Sequence, residues 1–193
     1  MKKILFLLAL IFIQPVFAQE LDADAIFDIK QNAFALYNTN NIEEAYNLLI
    51  QIPEDKMDEE TLLILANIEE DKNNIDKAIE YLNKSIEKNP KFYKPYYNLG
   101  CIFMKKRIYS FAVENFEKAA KLNKKNAYIF YNLASAQINA GEYSQAKRNL
   151  VKAIYLKNDE KNFYYNLAYV NKKLGKEKAA KKVIDFYNST FVK

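Results

Sequence analysis

Apolar positions along this chain recur with helical spacing, and strand-like alternation appears nowhere. In residues 93–126, apolar or small side chains fall at Tyr96, Leu99, Gly100 and Phe103, spaced three, one and three. They resume at Ala112, Phe116 and Ala119, spaced four and three. Residues three and four apart share one face of an α-helix, so each run predicts an amphipathic helix. The two runs together predict a helical hairpin.

The hairpin is repeated. Tyr-Asn-Leu begins at Tyr97, Tyr131 and Tyr165, at one constant interval. Residues 93–126, 127–160 and 161–193 align without gaps, and the same register runs back through 59–92 to 26–58. Five repeats therefore form a single array from 26 to 193, after a short leader at 19–25. A fixed period of this length predicts an all-α solenoid, in which each hairpin buries its apolar face against its neighbours.

Particular places in the repeat explain the hairpin. Position 15 holds Asn40, Asn73, Arg107, Gly141 and Gly175. Glycine and asparagine accept the left-handed conformation that ends a helix. Arg107 does not, so its turn is expected to be strained or differently shaped. Asp76, Ser110 and Ser144 follow, where short polar side chains can cap the second helix. Position 8 is always small (Ala33, Ala66, Gly100, Ala134, Ala168), as is position 20 (Ala45, Ala78, Ala112, Ala146, Ala180). Small residues at matched places let two helices approach closely. Large apolar residues at position 24 lie beside them: Leu49, Leu82, Phe116, Leu150 and Ile184.

This pattern resembles the tetratricopeptide repeat (TPR) family over residues 26–193. Tyr96, Leu99, Gly100, Phe103, Ala112, Phe116 and Ala119 supply the family's positions in the third repeat, and Pro90 supplies its late proline in the second. The first repeat departs most, with Asn32 for the leucine and Ile52 for an alanine; Glu69, Gln137 and Asn171 replace the aromatic at position 11. The resemblance implies a right-handed α-solenoid of five helix-turn-helix repeats whose function is to bind other proteins.

Residues 1–18 read differently. Met1-Lys2-Lys3 is basic, Ile4 to Ile13 is apolar but too short to span a bilayer, and Val16-Phe17-Ala18 is a small-x-small cleavage site. This segment is expected to be a signal peptide removed before Gln19, which makes the mature chain exported, periplasmic or secreted. With the single cysteine Cys101, an exported chain has no internal disulfide and relies on burial.

Composition argues against catalysis. There is no histidine, so Cys101 and the serines lack a histidine partner for nucleophilic chemistry. The three glycines are too few for a glycine-rich phosphate loop, and metal motifs are missing. The acidic stretch from Glu54 to Glu60 lacks the spacing of a calcium loop. No enzyme activity and no cofactor are expected.

Charge divides the chain. Residues 19–92 carry 17 acidic and 7 basic side chains, and 93–193 carry 7 acidic and 20 basic, balances of −10 and +13. The basic half fits an acidic protein or peptide, or the envelope surface, better than nucleic acid. The same division permits head-to-tail self-assembly into a homo-oligomer, acidic front on basic back. A solvated helical surface with no partner accounts for it equally well.

The candidate binding site follows from the resemblance. Positions 2, 5, 9 and 12 of the first helix resemble the family's row facing the concave groove, and their spacing also puts them on one face. The row contains Tyr97, Tyr128, Tyr131, Tyr165 and Tyr169, flanked by Asn98, Asn132 and Asn166. Tyrosines offer broad stiff contact, and asparagine amides pair with an extended peptide backbone. The alternative is that these tyrosines and asparagines pack between repeats. A carboxylate clamp of the kind found in cytosolic chaperone cofactors is absent: Lys30 and Asn67 fit it, but Phe34, Tyr97 and Cys101 do not. Cys101 reads as a small, partly buried apolar residue, with a disulfide to another chain outside the cytosol as the alternative. In the last helix, Ala179, Ala180, Val183, Ile184, Tyr187 and Phe191 form an apolar strip amid lysines. The strip is expected to dock or self-associate, or else to cap its own hairpin.

Overall fold

A computed structural model describes residues 21–192, so the expected signal peptide lies outside the described residues. Among the described residues there are ten α-helices and no strand. They fall into two compact units, one ending at Ile52 and one beginning at Pro53.

The first unit contains α1 (Ala23–Asn38) and α2 (Ile42–Leu49). Asp22 caps α1 by accepting a hydrogen bond from the Ala25 amide at 2.7 Å. Ala33, Ala45 and Leu49, the small and large positions read from the repeat, are buried.

The second unit opens with a short 3-10 turn at Glu54–Lys56. Four hairpins follow: α3 (Glu59–Asp71) with α4 (Ile75–Lys88), α5 (Tyr93–Lys105) with α6 (Tyr109–Leu122), α7 (Ala127–Asn139) with α8 (Tyr143–Leu156), and α9 (Lys161–Lys173) with α10 (Glu177–Phe191). Each hairpin packs on the next through its second helix, α4 on α5, α6 on α7 and α8 on α9. The core knobs Leu99, Leu133 and Leu167 are buried, as are the small residues at positions 8 and 20. Gly100 shows why position 8 must be small: a Cβ there would lie 2.6 Å from the Phe116 ring. Leu82 and Leu150 stand where Phe116 does, opposite Ala66 and Ala134 rather than glycine.

The five turns within the hairpins have one shape. Asn40, Asn73, Arg107, Gly141 and Gly175 all have positive φ, between 59° and 80°. In each, the next residue's amide reaches back five residues to a helix carbonyl, as Ile108 does to Phe103 at 2.9 Å and Glu142 to Gln137 at 2.7 Å. This is the Schellman ending of a helix. Arg107 therefore makes the common turn rather than a different one, and it carries the strain of a left-handed non-glycine residue.

Two expectations are corrected. Asp76, Ser110 and Ser144 are not caps: each is the second residue inside its helix, and Asn74, Ile108 and Glu142 hold the cap places without a side-chain hydrogen bond to the helix's own amides. The Schellman turn already delivers the chain straight into the second helix, leaving no separate capping step. Ile184 is also not core: it is 45% exposed, although its counterparts at position 24 are buried.

Candidate protein-binding surface

The candidate row lies on the layer of first helices in the second unit, where α3, α5, α7 and α9 stand side by side. Hydrogen bonds and stacked rings link them. The Asn98 amide on α5 donates to Asn67 Oδ1 on α3 at 2.7 Å. The Asn132 amide on α7 donates to the Tyr97 hydroxyl on α5 at 2.7 Å. Tyr97 itself packs 5.6 Å from the Phe116 ring, and burial pushes its phenol up to about 12. Tyr131 stacks on Phe163 of α9, centroids 4.8 Å apart. Tyr128 meets the same ring edge-on at 5.9 Å, and its hydroxyl donates to Glu160. That bond and Lys157 hold the Glu160 carboxyl below the usual carboxylate range.

Four of the row's residues, Tyr97, Asn98, Tyr131 and Asn132, are thus half-buried and occupied by their neighbours. Tyr165 is 64% exposed and Tyr169 41% exposed; Lys173 sits over the Tyr169 ring at 5.5 Å. Asn166 lies between them, half-buried. The accessible aromatic surface is concentrated on α9, with Tyr128 at its edge (44% exposed).

Cys101 lies beside Tyr97, half-buried, and burial pushes its thiol up to about 11. So little of it is thiolate at neutral pH that it is a poor nucleophile. Among the described residues there is no group of three or more potential metal ligands, and no helix is long and apolar enough to cross a membrane.

The charge division is partly consumed inside the molecule. Across the seam between the second and third repeats, Lys105 pairs with Glu70 at 2.6 Å and Lys106 with Asp76 at 3.8 Å. Lys84 bridges Glu54 and Glu80 at 2.8 and 2.7 Å. Exposed pairs of this kind are each worth only about 0–1 kcal/mol.

In the last hairpin, Tyr164 gathers Phe186 and Phe191, with centroids 4.9 and 5.5 Å away, and Tyr187 lies 5.7 Å from Phe191. The tail thus packs on its own hairpin. Ile184, Phe186 and Val192 remain 45%, 45% and 59% exposed. Reading the strip from helical spacing missed Phe186, which lies outside the repeat's usual small and large positions.

The family model for the tetratricopeptide repeat protein 21 C-terminal ARM domain matches residues 23–148. The chain belongs to this tetratricopeptide repeat family. A second model, for the tetratricopeptide repeat itself, matches residues 162–185. A search among curated proteins returns no match. Among solved structures, MamA AMB-1 superposes with a TM-score of 0.76 at 21% identity, covering 87% of this chain and 92% of its own. MamA from Desulfovibrio magneticus RS-1 (41-end) gives 0.75 at 17% identity, covering 86% and 94%. MamA MSR-1 gives 0.72 at 23% identity, covering 86% and 95%. These likenesses carry the fold, an all-α solenoid of TPR-like hairpins. A protein of this family and fold is a protein–protein interaction scaffold.

Proposed function

We propose that the chain is a non-catalytic adaptor that holds a segment of another protein against the tyrosine row, with α9 making the principal contact. The observation that carries this reading is the exposure of Tyr165 and Tyr169 on the same face, beside Asn166, on a helix whose core residues Leu167 and Val170 are buried. Rigid, exposed aromatic side chains with polar tips bind at low entropic cost. The segment from Met1 to Ala18 supports export, so the proposed setting is the bacterial envelope. Intact-mass measurement of the exported protein should find Gln19 at its start; retention of Met1 to Ala18 would remove the soluble envelope setting.

Self-assembly is the second reading, favoured by the −10 and +13 balances of the two halves. Light scattering over a concentration series at low and high salt separates the two, since growth in mass that salt abolishes belongs to self-assembly.

The binding test uses proteins captured from envelope extract by the wild-type mature chain. Tyr165→Ala with Tyr169→Ala should lose that capture while leaving the urea midpoint unchanged, because exposed side chains contribute within about 0.5 kcal/mol. Undiminished capture by the double variant would sink the α9 contact.

A further inference from the structure

The other face of the second unit carries two grooves in repeat register. The first, of 490 Å³, lies between α6, α7 and α8. The second, of 300 Å³, lies between α8, α9 and α10. Phe130 and Leu133 floor the first, and Tyr164 and Leu167, their counterparts in the next repeat, line the second. On α7 Leu133 lies away from the tyrosine row, two residues or about 200° of helix beyond Tyr131, and Phe130 stands in the same relation to Tyr128.

The same places differ in chemistry. Glu117, Asn149 and Lys152 of the first groove become Val151, Val183 and Phe186 in the second. The first groove is ringed by Lys121, Lys124, Arg148 and Lys152 against the single carboxylate of Glu117. Lys121, Lys124 and Arg148 make no ion pair among the described residues. The second groove is apolar but for Lys182 at its edge. α8 is the ridge between them, with Arg148 and Lys152 on one flank and Val151, 50% exposed, on the other.

We propose that this face binds one extended peptide segment of a partner protein, acidic at one end and apolar at the other. Its carboxylates lie in the first groove and its apolar side chains in the second. Charge complementarity selects the acidic block, because unpaired cations around an apolar floor favour carboxylates on a chain that also covers that floor. Crossing α8 means spanning about 10 Å, which takes about three extended residues. The ligand is therefore two or three acidic residues, a spacer of about three, then two or three large apolar residues. This surface is separate from the tyrosine row, so either can fail without the other.

The probe is a fluorescein-labelled peptide, Glu-Glu-Glu-Ser-Gly-Ser-Leu-Phe-Leu, titrated by anisotropy against the full chain. Lys121→Glu with Arg148→Glu should weaken binding about tenfold or more, an effect of about 1.4 kcal/mol. Reversing the exposed Lys161 and Lys176, which line neither groove, should change it less than about twofold. Val151→Glu adds a carboxylate to the apolar groove without emptying any core. It should weaken this peptide severalfold and leave a peptide lacking the Leu-Phe-Leu block unaffected. Circular dichroism checks that every variant stays helical, and an unfolded Val151→Glu is replaced by Val151→Ser. Equal losses from the groove and control reversals would mean attraction by bulk charge and overturn the site. Equal response of both peptides to Val151→Glu would overturn the second groove. If the chain associates with itself without peptide, and Lys121→Glu with Arg148→Glu disperses it, the occupant is a second copy and the assignment to a partner's peptide falls.

Discussion

Tyr131 and Tyr165 begin the same Tyr-Asn-Leu phrase one repeat apart, yet they live in different surroundings. Tyr131 lies flat on Phe163 of the next hairpin, 4.8 Å between centroids. Tyr165 is 64% exposed, and among the described residues no ring lies over it as Phe163 lies over Tyr131. Beside Tyr131, Asn132 donates to Tyr97 of the preceding hairpin. The side chain that decides whether the tyrosine is core or surface is therefore Phe163, which belongs to the following repeat. A repeat position specifies which way a residue points, and the neighbouring repeat specifies what it meets.

The strongest way to break the comparison is to remove that neighbour. Phe163→Ala should cost about 3–5 kcal/mol, the usual loss for a fully buried aromatic. It should also make Tyr131 as reactive toward iodination as Tyr165. Urea unfolding with mass mapping of the modified tyrosines reads both effects. A costly Phe163→Ala that leaves Tyr131 protected would show that its burial does not depend on this contact.

A second pair sharpens the same lesson inside one hairpin. Gly100 stands where other repeats have alanine because Phe116 stands where they have leucine or isoleucine. Gly100→Ala should destabilise by about 1–3 kcal/mol through overpacking against that ring. The same substitution in a Phe116→Leu background should cost less, measured as a double-mutant cycle of urea midpoints. Strictly additive costs would mean that the two residues do not constrain each other.

What could be read directly from the chain was whatever repeats. Ala45, Ala78, Ala112, Ala146 and Ala180 recur because each meets its own hairpin partner, and all are buried. The turn residues recur for the same reason, and even Arg107 follows the shared geometry. The candidate row was legible as a face but not as exposed or covered, since that depends on Phe163, Asn67 and Tyr97 in neighbouring repeats. The paired grooves were illegible for the opposite reason. Their deciding residues do not recur: Lys152 becomes Phe186 and Asn149 becomes Val183. In a single sequence such variation looks like solvated surface.

A third pair concerns buried polarity. At position 11, Gln137 accepts a hydrogen bond from the Asn149 amide at 2.8 Å. Asn171 occupies the same place one repeat later, 2% exposed, with its Oδ1 unpartnered among the described residues. Its missing donor has a simple cause, since Val183 stands where Asn149 would. A buried acceptor left unpaired costs about 1–3 kcal/mol. Asn171→Leu should therefore stabilise the fold by about 1 kcal/mol, read from the urea midpoint, while Gln137→Leu should destabilise it by stranding Asn149. A gain from both, or a loss from both, would show that the hydrogen bond at Gln137 does not distinguish the two sites.

The smallest expected effect comes from the turns, where Arg107 stands against Gly141 and Gly175. All three sit in the left-handed region, at φ 59°, 80° and 67°. A residue with a Cβ loses about 1–2 kcal/mol there, and glycine loses about 0.5–1 kcal/mol in extra unfolded-state freedom. The difference leaves Arg107→Gly stabilising by about 0.5–1 kcal/mol. Its side chain is exposed and makes no ion pair among the described residues, so no lost contact offsets the gain. Gly141→Ala should move the other way by a similar amount, because nothing within 4 Å obstructs its Cβ and only the backbone objects. Urea midpoints of the two variants, set beside the wild-type value, test the shared turn directly. An unstable Arg107→Gly would mean that the arginine holds the turn through its side chain.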